Sequence, residues 1–374
     1  MAYGRISLSI LLLLQMAGVH AQSLPFHYQR DYLTKFDGYQ TDDGLSARKV
    51  LDIEQDRYGF LWIATENGLN RFDGYQFVTY QANPADSTSI SHSHITSLEE
   101  DTDGNLWIGT HRGLNRYVRE EEAFEVISHD QQGKNSLSHD HVRELYADDK
   151  GYLWIETVDG ILNRYDIRRD RFVYYNHSKP EQPYYEYHAI YEDGRGDLWI
   201  GGRSMGPYRF IQDEERFVLY PSDPSDPNKK RDTDAAAFLE DRHGNFWVSG
   251  IDGIYRLDRD SSRFSKFYGT STFDILEDRE GYIWFATGDG VLRYHPSAHQ
   301  LIHYKADHNN EHAMNDDDIN CLFEDRTGNI WFGSNNGLNK YSREKYRFQH
   351  IYHIPENNNT LVSDHVTSLM ADER

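Results

Sequence analysis

Two side chains stand out when equivalent positions in similar segments of the chain are compared. Glu156 occupies a position that holds Ala, Gly or Ser in six other segments, and Arg203 lies in the irregular stretch 202–207. A carboxylate or a guanidinium can form charge-assisted hydrogen bonds with carbohydrate hydroxyl groups. We therefore predict Glu156 and Arg203 as ligand-binding residues. For Glu156 the structural alternative is a salt bridge or a channel-lining residue that binds water.

Two histidine pairs have a spacing that a metal site would require. His92-x-His94 and His139-x-His141 place both imidazoles of a pair on one side of a strand, as zinc binding needs. The pairs occupy equivalent loops, however, and a repeated loop motif explains them better than a metal. We predict no metal, and we add His139, His141 and Arg112 to the candidate ligand contacts because they lie in polar loops.

The sequence contains no recognisable catalytic motif. It has no Gly-x-Ser-x-Gly, His-Glu-x-x-His or phosphate-binding loop. The single cysteine, Cys321, lies in the apolar run 319–323, which favours a buried small hydrophobe over a nucleophile. We predict no catalytic residue and no cofactor.

The elements that must position these side chains are set by seven tryptophans. Each Trp follows the pattern Asp-x-x-Gly-x-apolar, and successive Trp are separated by 37 to 48 residues. The Asp can accept backbone N–H bonds in a tight turn that the Gly closes with a positive φ, and short strands flank the turn. Four strands per repeat predict an all-β fold, a seven-bladed β-propeller of four-stranded antiparallel blades. The expected blade core consists of Trp62, Trp107, Trp154, Trp199, Trp247, Trp284 and Trp331.

The two ends of the chain extend this organisation. Residues 1–21 have the positive, apolar and small-residue regions of a secretory signal peptide. The propeller is expected over 22–360, and 26–36 is a strand-like segment that can close the ring as an additional outer strand. Residues 361–374 repeat the opening strand of a blade, so we expect a truncated further blade and a longer parent polypeptide.

The charge balance limits the possible partners. The 39 basic and 61 acidic side chains give a net charge of −22, which repels phosphate backbones and anionic membranes. We therefore expect this region to bind no nucleic acid. The same charge argues weakly against a strongly anionic ligand, although a local basic patch can override it.

The first repeat resembles a known family. Its segments Asp43–Ser46, Gly59–Thr65 and Asn67–Gly74 are similar to the two-component regulator propeller repeat, and the likeness extends over 41–374. In that family such repeats form the periplasmic sensor of membrane-anchored hybrid two-component proteins, many of which control polysaccharide utilisation. The resemblance implies an oligosaccharide or other small nutrient ligand. It also implies a second propeller and an Ig-like domain in the same parent, a possible homodimer, and a histidine kinase absent from this chain. The alternatives are a secreted glycosidase or lyase on a propeller scaffold and a stand-alone interaction scaffold.

Overall fold

The protein is a ring of seven four-stranded antiparallel blades, which confirms the predicted β-propeller. A computed structural model describes residues 27–31, 34–133, 135–176, 188–202, 206–211, 214–220, 234–259, 263–307, 309–310 and 312–342, with four isolated positions between 361 and 368. The predicted signal peptide, Arg203 and nearly all of 361–374 lie outside the described residues. Within these ranges no helix is long and apolar enough to cross a membrane.

The strands are numbered in chain order. Two strands and a short 3-10 helix precede the first blade: β1 (His27–Asp31), β2 (Phe36–Tyr39) and Thr41–Asp43. Blades 1 to 3 contain β3 (Val50–Gln55), β4 (Leu61–Thr65), β5 (Gly68–Phe72), β6 (Phe77–Tyr80), β7 (Ile95–Glu100), β8 (Leu106–Thr110), β9 (Gly113–Val118), β10 (Ala123–Ile127), β11 (Val142–Ala147), β12 (Tyr152–Thr157), β13 (Ile161–Asp166) and β14 (Arg171–Asn176). Blades 4 and 5 contain β15 (His188–Glu192), β16 (Leu198–Gly202), β17 (Tyr208–Ile211), β18 (Arg216–Leu219), β19 (Ala237–Glu240), β20 (Phe246–Gly250), β21 (Gly253–Asp258) and β22 (Arg263–Tyr268). Blades 6 and 7 contain β23 (Thr272–Glu277), β24 (Ile283–Thr287), β25 (Gly290–His295), β26 (Gln300–Tyr304), β27 (Ile319–Glu324), β28 (Ile330–Ser334) and β29 (Gly337–Tyr341).

One turn, repeated seven times, joins the first and second strands of every blade. In blade 1 one carboxylate oxygen of Asp56 accepts the backbone N–H groups of Tyr58 and Phe60, each at 3.0 Å. The other oxygen accepts the indole N–H of Trp62 at 2.9 Å. Gly59 has a φ of 95°, which favours glycine. All seven blades make the Asp–indole bond, at 2.7 to 2.9 Å. We call these seven Asp-x-x-Gly segments the lower turns.

The indoles fill the space between neighbouring sheets. The seven Trp side chains are 0 to 5% exposed. Trp62 packs edge-on against Tyr117 of the next blade, with ring centroids 4.8 Å apart. The residue two places after each Trp lies on the same side of its strand. Where it is Gly109, an added Cβ would lie 2.8 Å from Val142 of the following blade, so a small residue is required for close approach.

The N-terminal segment closes the ring, but it forms two strands instead of one. β2 pairs antiparallel with β29 and completes blade 7. β1 pairs parallel with β26 as a fifth strand on blade 6. The strand that closes the ring is therefore β2, which begins at Phe36. The single strand predicted over 26–36 ends at that residue. The physical reason is that the Phe36 ring is buried between Tyr304 and Phe332, with ring centroids 5.6 and 5.8 Å away.

Candidate functional site

The first strands of the blades surround a central channel of about 760 Å³. The side chains at equivalent positions of these strands vary among the blades, so the lining is chemically mixed. Its polar members include Lys49, Asp52, His94, His111, His141, Arg143, Glu144, Asp274, Asp318, Asn320 and Asn335. A cleft with convergent polar groups is the usual place for ligand binding.

Two segments of each blade meet at the end of the channel opposite the lower turns. The residue before the first strand and the residue four places after the Trp are joined by a backbone hydrogen bond. In blade 2 the N–H of His111 donates to the carbonyl of His94 at 3.4 Å, and in blade 7 Asn335 donates to Asp318 at 3.2 Å. We call this end, lined by Lys49, His94, His111, His141, Asp318 and Asn335, the upper mouth.

Three imidazoles are in contact at the upper mouth, and we call them the histidine stack. The His94 and His111 rings are stacked with centroids 3.9 Å apart and planes 18° apart. The His111 and His141 rings, from adjacent blades, have centroids 4.0 Å apart. Burial, and the repulsion between neighbouring imidazoles, lower the pKa of His111 to about 3. Burial and the charge of Arg143 lower the pKa of His141 to about 4. The stack is therefore neutral at pH 7.

The preceding loops explain the paired histidines. The Nδ1 atom of His92 accepts the N–H of His94 at 2.9 Å, and that of His139 accepts the N–H of His141 at 2.9 Å. The same bond in two blades is what a repeated loop motif requires. Among the described residues no group of three or more His, Cys, Asp or Glu side chains is arranged to hold a metal ion.

Below the mouth, the carboxylates of the first strands bind the backbone of the next blade. Asp52 accepts the N–H of Leu98 at 2.6 Å, and Asp274 accepts the N–H of Leu322 at 2.8 Å. Burial raises the pKa of Asp52 to about 6 and that of Asp274 to about 7, although these hydrogen bonds lower both. The two carboxylates therefore connect blade 1 to blade 2 and blade 6 to blade 7.

The structure separates the predicted ligand-binding residues into three situations. Of the four predicted residues that the structure describes, only His141 lines the channel, and it belongs to the histidine stack. Arg112 and His139 are exposed on the same face. Glu156 is fully buried opposite Glu144 in the ladder between β11 and β12, outside the channel lining. Its negative charge raises the pKa of Arg143, which burial lowers. Ligand contact by these residues stays a prediction.

Sequence reasoning missed Lys49, His111 and Arg143, which all line the channel. A signal was available for His111. It lies four residues after its Trp, the same position in the repeat that the predicted contact Arg203 occupies in blade 4, so aligning the repeats on the tryptophans would have marked it.

Comparison with known proteins identifies the repeats. The two component regulator propeller model matches residues 44–67, 89–112, 181–204, 268–289 and 313–336. Five of the seven blades therefore carry a segment that matches the two-component regulator propeller repeat. Each of the five matched segments contains the first strand of a blade, its lower turn and the second strand, which holds the Trp. The matched segments therefore include first strands, which line the channel.

Solved structures and a curated relative give the context of this regulator propeller. It is similar to the extracellular domain of a hybrid two component system from B. thetaiotaomicron, with 25% identity and a TM-score of 0.79 over 91% of this chain and 46% of that one. A second such domain from the same organism, at 20% identity, has a TM-score of 0.69 over 85% of this chain and 40% of that one, which shows the fold alone. Histidine kinase P4 of Formosa agariphila is 55% identical over 56 residues, 15% of this chain and 4% of the kinase. The chain spans less than half the length of each of these relatives.

Proposed function

We propose that this regulator propeller is the extracytoplasmic ligand-sensing part of a membrane two-component signalling protein. In this proposal it recognises a carbohydrate at the upper mouth and transmits the signal to a histidine kinase of the same parent. The observation that carries the proposal is the likeness to an extracellular domain of a hybrid two component system over 91% of the chain. The signal-like residues 1–21 support export to the periplasm.

The chemistry of the upper mouth suits a sugar. The half-buried, neutral imidazoles of the histidine stack present flat faces and N–H groups, and sugars offer C–H faces and hydroxyls to such surfaces. At the blade 7 part of the mouth the Asn335 amide lies 2.5 Å from an Asp318 carboxylate oxygen. This pair offers both a donor and an acceptor for hydroxyl groups. The blades hold these groups on rigid strand ends, which favours binding with little loss of conformational entropy.

Transmission would involve the rest of the parent polypeptide. By analogy with the family, we propose a second propeller and an Ig-like domain between this propeller and the membrane, and possible pairing of two copies. Ligand at the mouth would then change the packing of these domains, because an equilibrium shifts only when a ligand has a different affinity for the two states.

The binding half of the proposal is tested by screening neutral and acidic oligosaccharides for thermal stabilisation, followed by calorimetry. A ligand that binds only the folded state raises its stability by about 2.7 kcal/mol at a hundred times its dissociation constant. We expect at least one glycan to bind in this way. If no glycan binds, the carbohydrate assignment is wrong. The signalling half is tested by kinase autophosphorylation of the natural full-length protein with and without that glycan. A natural full-length protein that has no kinase would refute this half.

An enzyme is the second candidate, because carboxyl groups with raised pKa values converge on the channel. Asp52, Glu144 and Asp274 line it, and such groups can serve as general acids. Asp52 and Asp274, however, each accept backbone N–H bonds that join blades. The candidate is tested by incubating glycans with the purified chain: turnover that Asp52→Asn and Asp274→Asn abolish would establish an enzyme.

A further inference from the structure

The upper mouth is divided into two electrostatically different arcs. Blades 1 to 3 contribute Lys49, the histidine stack and Arg143, and we call this the basic arc. Blade 7, which packs against blade 1, contributes Asp318, and Asp52, Glu144 and Asp274 lie below. A chain with a net charge of −22 thus places its channel-lining cationic side chains together on one side of the mouth.

Lys49 has no salt bridge to any described residue, and its ammonium group acts electrostatically on His94. Arg143 feels the attraction of Glu156 and Asp159, and its positive charge acts on His141. Two positively charged side chains, Lys49 and Arg143, therefore act on the three imidazoles of the histidine stack. Burial and neighbouring positive charge oppose the protonation of these imidazoles. Desolvated cationic groups in contact repel one another unless an anion lies between or beside them.

The groups that act on the stack come from each of the segments packed around it. For His94 they are His92, Glu66 and Lys49; for His111 they are His94, His141 and His92; for His141 they are Arg143, His139, His94 and His92. Glu66 is the one carboxylate among them, and it acts on His94 alone. An anion bound at His111 and His141 would meet imidazole and guanidinium groups.

We propose that the basic arc binds an oxyanion group, the carboxylate or sulfate ester of an acidic carbohydrate, and that the histidine stack takes up protons from solvent as it binds. This inference rests on the proposed function and names its ligand class. A bound oxyanion replaces repulsion within the stack by attraction, so the protonated imidazoles become N–H donors to its oxygens. The carboxylates below the basic arc and on blade 7 would exclude the anion from other positions and orient the sugar.

The test uses sodium glucuronate, sodium sulfate and uncharged glucose at constant ionic strength, with histidine ring resonances followed by NMR from neutral pH down through the pKa values of His111 and His141, about 3 and about 4. His111→Asn and His141→Asn assign the two resonances. We expect glucuronate, sulfate or both to raise the pKa of His111 and His141 by about 0.5 unit or more. Glucose should leave both unchanged. Affinity for the anion should rise as the pH falls, by up to about tenfold per pH unit for each proton taken up.

Two variants complete the test. Lys49→Gln should weaken anion binding severalfold while the ring stays folded. His243→Asn is the matched control, because His243 is exposed in a lower turn on the opposite face, and it should change neither response. If neither anion moves the stack resonances, or if His243 responds equally, the inference is wrong. Glycan binding limited to neutral sugars would overturn the inference and leave the proposed function intact. An anion response without any glycan binding would support the oxyanion site and overturn the carbohydrate assignment.

Discussion

The lower turns and the upper mouth lie at opposite ends of the same strands, and they follow opposite rules. Every lower turn uses the same Asp, the same Gly and the same indole, with an Asp–indole bond of 2.7 to 2.9 Å. At the mouth the residue four places after the Trp differs from blade to blade, for example Glu66, His111, Asn335. Repetition within one chain therefore marks packing, and divergence on the same scaffold marks the surface that is available for recognition.

Salt bridges between adjacent lower turns extend the repetition without adding much stability. Arg57, Arg242 and Arg279 each contact a Glu of the next blade, at 2.7 to 2.9 Å. The three Arg side chains are 42 to 47% exposed, so solvent screens each pair and its contribution to stability is small. The stability of the ring therefore depends mainly on the buried indoles.

The largest expected effect comes from emptying one of the indole sites. Trp284→Ala should lower the free energy of unfolding by about 3–5 kcal/mol, because the side chain is fully buried and leaves a cavity between blades 6 and 7. Urea denaturation measures this. His111→Ala, at the mouth of another blade, is the matched variant and should cost far less. If both variants lowered the free energy of unfolding equally, the expected difference in stability between the blade core and the upper mouth would be contradicted.

A smaller effect is expected when the acceptor of a lower turn is removed. Asp278→Ala leaves the Trp284 indole N–H and the backbone N–H groups of Glu280 and Tyr282 without their acceptor. Leaving buried donors unsatisfied should cost about 1–3 kcal/mol. The denaturation midpoint gives the value, and a variant as stable as the wild type would show that the carboxylate is dispensable.

The pH dependence of stability should distinguish the histidine stack from the channel carboxyl groups below it by its sign. The pKa of His141 is lowered from 6.5 to about 4 in the folded protein, so the unfolded chain binds more protons between these values. The stack therefore contributes stability above pH 6.5 that is lost as the pH falls towards 4. Asp274, whose pKa is raised from 3.8 to about 7, acts in the opposite direction. His141→Asn should consequently lose less melting temperature on acidification than the wild type, whereas His243→Asn should match the wild type. Parallel melting curves for His141→Asn and wild type would contradict this.

The smallest stability effects belong to the exposed predicted contacts. Arg112→Ala and His139→Ala should change the free energy of unfolding by less than about 0.5 kcal/mol, because both side chains face solvent. Calorimetric affinity for the glycan found by screening is the informative readout, and it should fall if these residues touch ligand. Unchanged affinity would remove them from the site.

The sequence predicted the ring and the lower turns because both depend on short-range repetition. Seven Asp-x-x-Gly segments identify the turns, and the spacing of the tryptophans identifies the blades. The second role of the Asp, as acceptor of the indole N–H, was not predicted, because the turn must fold before Asp56 and Trp62 meet. The closing strand was placed too early in the chain, because the pattern around Phe36 does not reveal that its partner, β29, lies 300 residues later.

The mouth was less predictable because its contacts cross the sheet and the blade boundary. His94 and His111 are brought together by the pairing of β7 with β8, and His141 joins them only because blade 3 packs beside blade 2. The burial of Glu156 was missed for the same reason. Comparing equivalent positions correctly marks it as unusual, but the comparison does not show that its side chain is fully buried and outside the channel lining.

The most direct test of the central claim is a calorimetric titration of the best glycan from the screen against two variants. The account predicts that His111→Ala, at the upper mouth, weakens binding by about tenfold or more, equivalent to about 1.4 kcal/mol. It predicts that His243→Ala, in a lower turn, leaves the affinity unchanged. Equal affinity of wild type and His111→Ala, or a loss confined to His243→Ala, would contradict the assignment of recognition to the upper mouth.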